Sequence, residues 1–252
     1  MRWTFYGTRS FDGDLSRWEV GSVTTMQGLF SDARSFNGDI ASWDVRRVAS
    51  MQDMFSEATS FNGDLSGWDT GGLTSMDRTF ADAISFNVDL SGWDVARVTT
   101  MERTFQGALA FHGGIAGWNV AHVASMEGIF DSAVSFNENL SAWDVARVTS
   151  MYFMFNFATS FDQVLDWCLR NGTNIEEMFT GSGGSAGFCE KPSRTEMLDD
   201  SSASQMLVSG GVSVIVFFFC LLSAKSMRKW RDERRIWEKR SQGQRTNRTA
   251  QL

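Results

Sequence analysis

Histidine, cysteine and proline are nearly absent from the 252 residues, with two, three and one of each. His112 and His122 stand ten residues apart, with no cysteine or carboxylate at the spacing of a metal site or an activated nucleophile. Chance surface positions account for both. There is no Gly-x-Ser-x-Gly, no phosphate-cradling loop and no pair of carboxylates set in separate environments. The usual routes to hydrolase and metalloenzyme chemistry are thereby excluded, and no enzymatic activity, metal or cofactor is expected.

Charge is also unevenly withheld. Residues 206–224 contain no charged side chain, and as a helix rising 1.5 Å per residue this stretch would span about 28 Å, enough for one membrane crossing. After it come ten Lys/Arg against three Asp/Glu; before it, of the chain's totals of 23 and 30, 13 stand against 27, a balance of −14. The acidic body argues against a nucleic-acid partner. The basic flank marks the cytoplasmic side, so residues before the span are expected outside a plasma membrane and the C-terminus inside. The only proline, Pro192, lies in a polar run read as a stalk over 190–205. Ser209 and Ser213, with Gly210 and Gly211 between them, would let two spans approach closely as a homodimer. In the tail at 225–252, Met227, Trp230 and Trp237 interleave with arginines, which suits either a helix on anionic lipid or a simple stop-transfer flank.

What the chain has in abundance is repetition. Phenylalanine returns at 25-residue intervals from Phe11 to Phe161, tryptophan from Trp18 to Trp143, methionine from Met1 to Met151, and a second phenylalanine from Phe5 to Phe155. A strict period of this length implies stacked coils that bury aromatic rows against one another. Trp-x-Val, as in Trp43 and Val45, has the two-residue period of a strand with one inward face. Met101, Phe105 and Ala108 follow the i, i+4, i+7 spacing of a short helix, with Ser75 or Thr100 placed to cap such a turn. Asn62-Gly63-Asp64 is turn chemistry. The expected fold is an α/β solenoid with parallel strands at 14–20, 39–45, 64–70, 89–95, 115–120 and 140–145, and helical turns after each methionine. The chain opens in mid-coil with no signal segment before it, so a truncated or misplaced start is expected.

Met51 to Phe55, Ala58 to Asn62, Asp89 to Val95 and Val98 to Met101 resemble the BspA-like leucine-rich-repeat surface proteins, in their 25-residue variant. The resemblance implies a right-handed leucine-rich-repeat-like solenoid outside the cell, used for binding or adhesion, with no catalytic residues. It also implies that Cys168, near the last tryptophan, and Cys189 close the end of the repeats over 1–189. Both lie on the expected outer side, where a disulfide is stable. Cys220, inside the expected span, should be unpaired. Asn171-Gly172-Thr173 is a glycosylation sequon on the outer side; Asn247-Arg248-Thr249 is one on the inner side and should stay bare.

Two rows of acids are candidate sites. Asp14, Asp39, Asp64 and Asp89 stack one above another, and either backbone N–H groups or a bound calcium must offset their repulsion. Turn capping is the better account, because the row breaks at Gly114, becomes Asn139 and is lost at Val164. The second row, Asp44, Asp69, Asp94 and Asp144 after the tryptophans, is the expected binding face, suited to a basic or polyhydroxyl extracellular protein or glycan. The rival reading is a coat or spacer that binds nothing, because the neighbouring row shrinks from Arg17 through Ser42 to Gly67.

Overall fold

A computed structural model describes residues 1–187. The 25-residue period becomes a stack of coils held by parallel bridges that join Thr25, Ser50, Ser75, Thr100, Ser125, Ser150 and Asn174 in series. The last unit, one residue short, stays in register: Met151 N–H donates to Asn174 at 2.7 Å where Met126 donates to Ser150 at 2.9 Å.

The expected α/β composition is not what forms. Among the described residues there is no helix, and the only strands are β1, Val164–Leu165, and β2, Ser185–Ala186, which pair parallel. Residues after each methionine instead make overlapping i to i+3 turns, as in Met54 to Met51, Ser56 to Asp53 and Ala58 to Phe55. The amides between those turns bond to the next coil: Met51, Asp53, Phe55 and Glu57 donate to the carbonyls of Ser75, Asp77, Thr79 and Ala81 at 2.7–3.2 Å. A helix would direct these amides to residues four back in the chain. Here the backbone flips to positive φ at two places per coil, at Asp53 (55°) and Glu57 (59°), and again at Arg78 and Asp82. The flip aims alternate N–H groups along the stack.

The expected strands are corrected for a related reason. Asp39 Oδ1 accepts the amide of Ala41 at 3.0 Å and Asp44 Oδ1 that of Arg46 at 3.3 Å, so each acid closes a turn on one side of Trp43-x-Val45. Too few extended residues remain between the turns to pair as a strand. Ser75 and Thr100, placed as helix caps from the sequence, are bridge residues instead. The span expected at 206–224, the stalk, Cys189, Cys220, Asn247 and the basic tail lie outside the described residues. Among those described, no helix is long and apolar enough to cross a membrane.

The core is a column of aromatic rings. Phe30, Phe55, Phe80, Phe105, Phe130 and Phe155 stack at 5.5–5.8 Å between coils, and each lies 3.9–4.1 Å from the centre of a second phenylalanine in its own coil, Phe36 through Phe161. The tryptophans from Trp43 to Trp167 are buried beside them, and each indole N–H donates to a carbonyl of the preceding coil, as Trp93 does to Leu65 at 3.1 Å. That bond explains why the position holds Trp where another apolar ring would also fill the space. Trp93→Phe removes this bond and leaves the Leu65 carbonyl with the Trp68 amide alone, at 3.2 Å, and should lower unfolding free energy by about 0.5–1.5 kcal/mol in a urea titration.

Candidate functional site

Both acidic rows first serve the backbone. In the row expected to choose between turn capping and calcium, Asp14, Asp39, Asp64 and Asp89 each accept the amide two residues on at 2.9–3.0 Å, and Asn139 does the same for Ser141. The bonds from Ser66 and Ser91 draw the Asp64 and Asp89 carboxyls below their ordinary range. Among the described residues no cluster of His, Cys, Asp or Glu is arranged to hold a metal ion. His112 continues a different series: Asn37, Asn62 and Asn87 each accept, through Oδ1, the amide one coil later, and the last of these amides is that of His112 at 3.2 Å.

The four candidate binding acids are not equivalent. Asp69, Asp94 and Asp144 are exposed, and each engages Oδ1 with the amide of Gly71, Ala96 or Ala146 at 2.9–3.2 Å. Their Oδ2 atoms have no hydrogen-bond partner among the described residues. Asp44 is taken by Arg46, whose Nε and terminal nitrogen reach its two oxygens at 2.9 and 2.8 Å. The guanidinium, followed by the Arg46 amide, holds the Asp44 carboxyl down at about 2. Any stabilisation from this pair is present above the ordinary carboxylate range and is lost as pH falls through about 2. NMR titration should give that midpoint for Asp44 and return it toward 3.8 in Arg46→Ala. Asp144 further lines a shallow hollow with Asp166, Trp167 and Cys168.

Asn171 is exposed at a turn closed by Thr173 N–H on the Arg170 carbonyl at 3.1 Å. Cys168 is disulfide-bonded; Cys189, the expected partner, is outside the described residues.

Sequence reasoning missed a hollow of about 630 Å³ on the turn-ladder face. It is lined by Trp3 and Tyr6 of the first coil with Asp32, Asp53, Glu57 and Arg78 of the next three. Trp3 and Tyr6 meet edge to face at 5.4 Å and are 42% and 60% exposed. A signal was present: the positions equivalent to Trp3 are Gly28, Asp53, Arg78, Arg103, Gly128 and Phe153, so the tryptophan differs from the polar or glycine residues of the five coils that follow it.

Stacked, turn-built 25-residue coils with outward rows of carboxylates define a repeat protein. The chain belongs to the family described as Mycoplasma protein of unknown function, DUF285, whose model matches residues 1–93 and again 74–187. No curated protein and no solved structure matches it.

Proposed function

We propose that this chain is a non-enzymatic surface repeat protein of the BspA-like kind, anchored by a single span at 206–224, that binds a basic partner through Asp69, Asp94 and Asp144. One observation carries this reading. In each of these acids one oxygen is fixed by a turn amide while the other is free, so the charges are held in position at a recurring place on the coils. Side chains fixed in advance lose little entropy when a partner docks. Asp44 contributes less, because Arg46 already neutralises it. Anchoring rests on the uncharged stretch and its basic flank, and an outer location is supported by the sequon at exposed Asn171.

The test is binding of a deca-lysine peptide to the full chain and to Asp69→Asn, Asp94→Asn and Asp144→Asn combined. Asparagine keeps the turn cap, as Asn119 does for Ala121 at 3.2 Å. The combined variant should bind about tenfold more weakly or worse and lose its salt dependence, while Asp44→Asn changes little. Equal binding by the native chain and the combined variant removes the acidic face from the reading. No binding by either favours the spacer, which the small row at Ser42, Gly67 and Gly92 also suits. Glycan at Asn171 with Asn247 bare would support the topology, and glycan at Asn247 would reverse it.

A further inference from the structure

The hollow beneath Trp3 and Tyr6 has the composition of a ligand site, and it lies apart from the acidic row. Its charges are already matched. Asp32 accepts from Arg9 at 2.9 Å and Arg34 at 2.6 Å, Asp53 faces Arg78 at 2.9 Å, and Glu57 faces Arg34 at 3.4 Å. The three lining carboxylates therefore meet Arg9 and Arg78 of the lining and Arg34 beside it, so each is paired before any ligand enters. The pairs still have hydrogen-bonding capacity to spare. Arg78 Nε is buried against Asp53 Oδ1 at 2.9 Å, and each carboxylate offers about four lone-pair sites, more than these contacts use.

The aromatic wall is held in place by the backbone below it. Gly28, at φ +59°, lies under the Trp3 indole, and a Cβ there would come within 2.0 Å of the ring. The ring thus rests on bare main chain of the second coil. A volume of 630 Å³ falls within the usual range for small-ligand sites, about 300–1,000 Å³.

We infer that this hollow is a binding site for a neutral sugar, the Trp3 and Tyr6 rings covering its C–H face and the Asp53–Arg78 and Asp32–Arg9 pairs taking its hydroxyls. A neutral polyhydroxyl ligand fits paired charges without displacing them. Adjacent hydroxyls, each both donor and acceptor, can bridge a carboxylate and a guanidinium without breaking the pair. Aromatic side chains supply contact area at low entropic cost.

The test is saturation-transfer NMR on the full chain with short linear oligomers of glucose, galactose, mannose and N-acetylglucosamine, and in parallel with the deca-lysine peptide. At least one oligomer should bind. Trp3→Ala and Tyr6→Ala should each weaken it by about thirty-fold, the usual consequence of removing a central aromatic anchor. Gly28→Ala keeps every lining side chain but displaces the indole, and should weaken binding as well. The combined Asp69, Asp94 and Asp144 variant should bind the sugar as the native chain does, which separates this site from the acidic face. Thermal melts identify any variant that has lost its fold, and Tyr6→Ala, altering the most exposed of the three positions, remains informative if Gly28→Ala does not fold. The inference is overturned if no oligomer binds, if folded Trp3→Ala and Tyr6→Ala bind as tightly as the native chain, or if these two variants lose the peptide instead of a sugar.

Discussion

Phe80→Ala should lower unfolding free energy by about 3–5 kcal/mol, read from the urea midpoint at unchanged slope. The ring is wholly buried and belongs to three contacts at once: it stacks on Phe86 of its own coil at 3.9 Å and on Phe55 and Phe105 of the flanking coils at 5.6 Å each. Truncation leaves a cavity bounded by rings on three sides, and those rings cannot collapse into it because each is held in register by four amide rungs to the next coil. A coil in such a stack touches only its neighbours, so a central cavity weakens two interfaces together. Phe5, only partly buried at the first coil, stacks on Phe30 from one side, and Phe5→Ala should cost less. Equal losses at the two positions would show that the aromatic column does not couple the coils. A fall in slope for Phe80→Ala alone would show that the stack has split into separately melting parts.

The rings were legible in the sequence because burial depends on side-chain identity and period. Met51, Phe55, Ala58, Phe61 and Trp68 are all buried where the 25-residue spacing places them. The path of the backbone between them was not legible. Met101, Phe105 and Ala108 have helical spacing, yet overlapping turns with two positive-φ residues per coil bring the same positions inward. Nothing local announces those flips, because Asp53, Glu57, Arg78 and Asp82 are not glycine and their amides find acceptors 24 residues away. The bridges likewise fall on Ser50 and Ser75, whose small polar side chains do not suggest pairing. The candidate site divides in the same way. The outward acids could be read from their place after each tryptophan, but the neutralisation of Asp44 by Arg46 depends on rotamers, and the hollow at Trp3 gathers residues from four coils.

The positive-φ positions yield the other large effect, with opposite signs at one residue. Glu57 has φ 59°, donates its amide to Ala81 at 2.7 Å, and is half exposed, with only a 3.4 Å contact to Arg34. Glu57→Pro fixes φ near −65° and deletes the donor, so a ladder rung is lost and the turn cannot close as it does. Destabilisation of about 3 kcal/mol or more is expected in a urea melt. Glu57→Gly removes the left-handed cost of an L-residue, about 1–2 kcal/mol, against an added unfolded-state entropy of about 0.5–1 kcal/mol. The lost surface ion pair subtracts about 0–1 kcal/mol. Glu57→Ala isolates that last contribution, since it keeps the strain and loses only the pair. Glycine should therefore be more stable than alanine by a few tenths of a kcal/mol to about 1.5 kcal/mol in paired urea melts. If alanine matches or exceeds glycine, the backbone at residue 57 is not left-handed in solution. If proline is tolerated, the amide ladder is not what holds the turn-built face of the coils together, and the aromatic column alone must do so.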